Sequence, residues 1–144
     1  MTEFRARSDA FLSEFLALQP TAATLIGEHA YDALWPDVSA AGRRERIAFA
    51  DRWLDEFGGF TDLSDDDAVD RDLLVQQLDA MRFADVDLRE EAWNPLEWVY
   101  LLGGGLFGLV SREFAPLAER LASVAGRLDV WRETYAESIE TAAA

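Results

Sequence analysis

From Trp98 to Val110 the chain carries no charged residue, and Gly103, Gly104 and Gly105 stand side by side within that run. Asn94 supplies a helix N-cap, Pro95 suits the first helical position, and Glu97 suits the positive end of the helix dipole. The segment is too short to span a bilayer, which takes roughly 20 apolar residues. It has the length of a helix, or a helix and a bend, enclosed on all sides by a protein core. In an exposed helix each glycine costs about 1 kcal/mol relative to Ala. Glycines are expected where the backbone bends or another element approaches closely. The segment is therefore expected to be the most buried stretch of the fold, and Gly104→Val to overpack it at a cost of about 1–3 kcal/mol.

The remaining pattern is helical throughout. Phe4, Phe11, Phe15 and Leu18 make one stripe of a first helix over Glu3 to Leu18, with Leu12 and Leu16 beside it. Pro20 opens a short second helix that Gly27 stops. Glu28 to Val38 reads as an irregular connection carrying His29, Tyr31 and Trp35. Ser39 caps a third helix, Ala40 to Phe57, with Ile47, Ala50, Leu54 and Phe57 on one face and Phe49 and Trp53 widening it. Ser64 with Asp67 resembles a capping box opening a fourth helix to about Leu88, whose inner side is Leu74, Leu78 and Met81. After the central stretch, Pro116 starts a long last helix. Its Leu117, Leu121, Val124, Leu128, Trp131 and Tyr135 step by four and three, the seam pattern of helix-on-helix packing. No segment alternates with period two between turn residues, so no sheet is expected. The expected fold is an all-α bundle of five or six helices in a single domain over residues 1–144.

Composition narrows the function classes. There is no cysteine, which removes disulfides, thiolate metal sites and thiol nucleophiles. The net charge is −15 and every one of the 13 basic residues is Arg, so the surface repels phosphate backbones and anionic lipid heads. Neither a nucleic acid nor a membrane is an expected partner. Met-Thr-Glu-Phe-Arg is not a basic start with an apolar run behind it, and a cytoplasmic setting is expected.

Each cluster that could carry chemistry has a plainer reading. Gly103-x-Gly105-x-x-Gly108 has the spacing of a dinucleotide fingerprint, but Asn94-Pro95 makes the segment helical already, with no strand to feed it. His29 is the sole histidine, and neither H-E-x-x-H nor a Glu-x-x-His pair is present, so a loop histidine bonded to backbone or water is expected. A Ser-His-Asp arrangement could draw on His29 and Asp32, but no serine lies in a nucleophile elbow. Asp65, Asp66, Asp67, Asp70 and Asp72 do not follow the calcium-loop order; they suit a helix first turn, with Asp67 pairing to Arg71. Glu133, Glu137 and Glu140 form a second acidic row that reads as a solvated face. The five tryptophans read as core or interface residues. No catalytic, cofactor-binding or metal-binding residue is assigned.

Several segments in order carry a resemblance. They are Ala22-Ala23-Thr24-Leu25-Ile26-Gly27-Glu28-His29-Ala30-Tyr31-Asp32, Asp70-Arg71-Asp72-Leu73-Leu74, Trp93-Asn94-Pro95-Leu96, Gly103-Gly104-Gly105-Leu106 and Arg112-Glu113-Phe114-Ala115-Pro116. Together they resemble the N-terminal region of the bacterial family called domain of unknown function 885, over about Phe11 to Tyr135. The resemblance implies a largely helical parent several times longer, similar to gluzincin zinc metallopeptidases, with its H-E-x-x-H helix far downstream. None of that family's catalytic residues has a counterpart here. The expectation is a non-catalytic N-terminal helical region, without a cofactor of its own, while a full-length parent could hold zinc. The alternative is a free-standing helical module that binds a protein or small ligand through the aromatic stretch. The expected partner is the remainder of the parent, or a second copy through the last helix, whose apolar seam is left uncovered.

Overall fold

The computed structural model describes residues 2–142, with side chains through Arg132. Among the described residues there are six α-helices and no strand: α1 Glu3–Leu18, α2 Pro20–Ile26, α3 Ala40–Gly58, α4 Asp65–Phe83, α5 Pro95–Val110 and α6 Leu117–Ala142. The start signals do what their chemistry dictates. Ser39 Oγ accepts from Gly42 N at 3.1 Å, Ser64 Oγ from Asp67 N at 3.2 Å, and Asn94 Oδ1 from Leu96 N at 3.1 Å. Beyond α4 the backbone stays helical to Leu88 but widens into a π turn, Ala84–Leu88, followed by a 3₁₀ turn, Glu90–Ala92. Arg89, at φ 47°, separates the two, and its N–H closes the π turn on Ala84 O.

The tightest core lies between α1, α3 and α4, away from the glycine-rich segment. Phe4 and Phe11 of α1 meet Phe49, Ala50, Trp53 and Phe57 of α3 and Leu78 of α4. The rings interlock: Phe11 stands edge-on to Trp53 at 5.5 Å and to Phe57 at 5.5 Å, and Trp53 stacks on Phe57 at 5.4 Å. Each such ring contributes about 1.5–3 kcal/mol by leaving water, and the edge-to-face pairs add to that. The outer rim is ionic. Arg7 and Arg52 lie over Trp53 at 5.3 and 5.1 Å, and bond Glu56 and Glu14 respectively. On α3, Phe49 and Trp53 form the centre of the buried face, while Ile47 and Leu54 are half-buried.

Two expectations are corrected. Only one face of α5 is buried, through Gly105, Gly108 and Leu109; Val99, Tyr100, Phe107 and Val110 are exposed. A Cβ added at Gly103 or Gly104 meets nothing within 4 Å, so Gly104→Val has no neighbour to overpack. The absence of charge in this stretch means that neither face meets an ion pair, and burial does not follow from it. The α6 seam, by contrast, stands uncovered as its pattern led one to expect: Leu117, Leu121 and Leu128 are exposed and Val124 and Trp131 half-buried, while the side chain of Tyr135 lies outside the described residues. Among the described side chains of α6 the buried ones are Arg120 and Arg127, which bond backbone carbonyls that no apolar side chain could satisfy.

Candidate functional site

The densest buried polar cluster sits where α2, the α2–α3 connection, α5 and α6 meet. Gly27, at φ 94°, ends α2 in the left-handed region, its own N–H reaching Thr24 O and the Glu28 N–H reaching Ala23 O. The chain then turns back so that Asp32 lies beside Thr24. The turn is seated on α6 at Gly126, where a Cβ would come within 3.2 Å of Ala33. On α5, Gly105 lies under Trp35: a Cβ there would be 2.7 Å from Trp35 Cζ3, so only glycine lets the indole occupy its place.

Arg127 is wholly buried at this junction. Its Nε donates to Leu34 O at 2.9 Å, Nη1 to Gly105 O, and Nη2 to Pro20 O at 3.1 Å and Thr24 Oγ1 at 2.6 Å. One guanidinium thus ties α6 to three other parts of the chain, using the fixed fork that Lys lacks. Burial pushes its pKa below the usual arginine range, while the Asp32 carboxylate pulls it back up. Thr24 Oγ1 donates to Asp32 Oδ1 at 2.7 Å, and Asp32 Oδ2 meets His29 Nδ1 at 2.9 Å. The imidazole stacks on Phe114 with centroids 3.7 Å apart and planes 9° off parallel. Arg120 flanks that ring at 5.9 Å and bonds Leu109 O, Val110 O and Ala115 O, covering the open end of α5.

The arrangement brings His29 and Asp32 together but does not make a hydrolytic triad. Asp32 lies between hydroxyl and imidazole, so the imidazole does not contact the Thr24 hydroxyl and the order of a hydroxyl–imidazole–carboxylate triad is not met. Thr24 is also buried and already bonded to a cation. The set does not suit zinc either. His29 Nδ1 and both Asp32 oxygens are engaged with each other and with Thr24, and the Arg127 charge lies close by. Among the described residues no three His, Cys, Asp or Glu side chains converge on one point. His29 is bonded to a carboxylate, which corrects the expectation of a backbone or water partner.

The other singled-out residues fall into structural roles. Gly103, Gly105 and Gly108 lie in the middle of α5, where the backbone amides are spent on the helix and cannot cradle a phosphate. Asp65, Asp66 and Asp67 occupy the first turn of α4. Asp67 bonds Arg5 at 2.8 Å, not Arg71, which turns instead to Asp72 and to Phe60 O. The side chains of Glu133, Glu137 and Glu140 lie outside the described residues. A cleft of about 260 Å³ beside Met81, Leu88, Trp98 and Leu101 is rimmed by acids, but Asp85 is held by Arg46 and Glu91 lies 3.7 Å from Arg43. A larger opening of about 450 Å³ lies over the Arg5–Asp67 pair and holds no further cluster of reactive groups.

Arg127, Thr24 and Phe114 were not legible as a set from sequence. The available signal was an arginine flanked by Gly126 and separated from Arg120, seven positions earlier on the same face, by small and apolar residues alone.

Comparison with known proteins agrees with this architecture. The solved structure described as "a putative lipoprotein of unknown function" from Shewanella oneidensis superposes with a TM-score of 0.84 at 28% identity, over 94% of this chain and 25% of that one. This chain thus spans a quarter of the length of that protein. No curated protein matches it. No helix among the described residues is long and apolar enough to cross a membrane. The family described as bacterial protein of unknown function (DUF885) matches residues 20–144, and this chain belongs to that family.

Proposed function

We propose that these 144 residues are a single helical domain, the non-catalytic N-terminal region of a larger metallopeptidase-like protein. The observation that carries this reading is the match of nearly the whole chain to one quarter of the longer Shewanella oneidensis protein. The residue inventory supports the non-catalytic part: one histidine, no cysteine, and the histidine committed to Asp32. Any zinc chemistry would reside in the part of a longer protein that this chain does not match. A cytoplasmic setting belongs to the same reading. The lipoprotein description is that of the Shewanella protein and speaks for an envelope setting, so cell fractionation of the native protein decides between the two.

Metal analysis and peptide hydrolysis, run on this chain and on the Shewanella protein side by side, test the proposal. This chain should retain no stoichiometric zinc after dialysis and cleave no peptide; the longer protein should do both. Tight zinc on this chain overturns its non-catalytic role. Absence of metal-dependent hydrolysis in the longer protein removes the peptidase-like parent and favours a helical binding module.

A further inference from the structure

The outward face of α5 is an apolar stripe that stays exposed to solvent among the described residues. Leu96, Val99, Tyr100, Phe107 and Val110 are 52, 62, 68, 67 and 47% exposed. At about 100° per residue they share one side of the helix, opposite Gly105, Gly108 and Leu109, which face inward. Between the two rings lie Gly103 and Gly104, exposed and with open space where a side chain would stand. Along the helix the order is ridge, notch, ridge: Tyr100, then the glycine pair, then Phe107. That order reads alike from both ends.

We propose that this stripe docks on the same stripe of a second copy, as an antiparallel two-fold crossing centred on Gly103 and Gly104. A two-fold contact requires a surface complementary to itself. Here the notch admits the partner helix closely, and Phe107 of each copy falls beside Tyr100 of the other. The area is sufficient. With about 150–250 Å² for each aromatic side chain and somewhat less for Leu and Val, full burial of these exposures gives on the order of 500 Å² per copy, or on the order of 1,000 Å² in total, at the threshold for a specific interface. Charge permits it too. Each copy carries −15, but the one charge between Leu96 and Val110 is Glu97, which an antiparallel crossing centred on Gly103 and Gly104 sets opposite the partner's Val110 and not opposite a carboxylate.

The test is the oligomeric state of the chain and of single variants on the stripe. Light scattering should show the mass rising from 16.1 kDa toward twice that value with concentration, and rising further with added NaCl as like charges are screened. Tyr100→Glu should weaken the dimer at least about tenfold. Leu73→Glu, at a 59% exposed position of α4, should leave the dimer unchanged. Circular dichroism and melting of the dilute monomers should match the parent, because neither side chain supports the core. The chain has no cysteine, so Gly104→Cys should oxidise to a covalent dimer under conditions where Leu73→Cys does not. A chain that stays monomeric at millimolar concentration overturns the proposal and leaves the stripe to the rest of a longer polypeptide. A dimer that survives Tyr100→Glu, or cross-links equally through residue 73, overturns it as well.

Discussion

Arg127 Nη2 donates to the Thr24 hydroxyl at 2.6 Å, joining residues 103 positions apart. The guanidinium has no exposed surface; the same nitrogen also bonds Pro20 O, and the other two bond the carbonyls of Leu34 and Gly105. Those carbonyls belong to α2, the α2–α3 connection and α5. The helix that carries Arg127 is thereby fixed by polar bonds in a place where apolar packing alone would allow it to slide.

Replacing Arg127 should therefore be costly. Arg127→Leu keeps much of the volume but strands buried carbonyls, each at about 1–3 kcal/mol, so a total loss of roughly 3 kcal/mol or more is expected. Arg127→Lys should recover little, because an ammonium cannot reach the same diverging acceptors. Urea denaturation measures both. A lysine variant as stable as the parent would mean that charge, not the fork, holds the junction.

A second prediction concerns acid. Asp67 has its pKa held below the usual carboxylate range, first by the hydrogen bond from Arg5, then by the Arg5 charge and the bonds from Thr2 and Ser64. A carboxyl with a lower pKa in the folded state binds fewer protons there than in the unfolded chain. Its contribution is complete above the unfolded value and is lost as pH falls through the folded value, below 3.8. Asp67→Asn removes that contribution at neutral pH. The gap in melting temperature between parent and variant should stay constant from pH 8 to about pH 5 and close as pH drops further. A gap that is unchanged at pH 2 would assign the effect of Asp67 to shape instead of charge.

The limits of the sequence reading follow from what each signal encodes. Caps and stops are local chemistry, so Ser39, Ser64, Asn94, Pro20 and Gly27 marked their helices correctly. Aromatic periodicity on α1 and α3 encodes which side meets the core, and Phe4, Phe11, Trp53 and Phe57 are buried accordingly. Absence of charge encodes less. The stretch around Gly103 lacks ions on both faces, and periodicity in it is hidden because glycine, Leu and Phe all count as apolar. Arg127 was invisible for the opposite reason: hydropathy ranks arginine as a surface residue, and the carbonyls that justify its burial come from distant parts of the chain. The Thr24–Asp32–His29 chain depends on a turn after Gly27 whose course no periodicity specifies.

Salt should raise the melting temperature of the dilute chain. With 28 acidic and 13 basic residues, repulsion is the dominant long-range term, and screening within about 10 Å near 0.1 M relieves it. The paired arginines oppose this, since Arg7–Glu56, Arg52–Glu14 and Arg82–Asp51 are part-exposed and also weaken with salt. Such pairs contribute about 0–1 kcal/mol each, so net repulsion should win. A melting temperature that falls between low salt and moderate NaCl would reverse that ranking.

The neighbouring glycines Gly104 and Gly105 should respond oppositely to the same change. Gly104 points to open space in the interior of α5, so Gly104→Ala loses no contact and lowers the entropy of the unfolded chain. It should stabilise the dilute monomer by about 0.4–1 kcal/mol. Gly105 lies against Trp35, where an added Cβ would stand 2.7 Å from Cζ3 and 3.0 Å from the Thr21 methyl carbon. The indole is itself buried and has little room to retreat, so Gly105→Ala should overpack the junction and cost about 1–3 kcal/mol. Because Gly105 O also accepts from Arg127, a displaced α5 would loosen that bond as well. Thermal melts of the two variants at low protein concentration provide the comparison. The face of α5 turned toward Trp35 would be wrongly assigned if Gly105→Ala melts at or above the parent, or if Gly104→Ala melts below it.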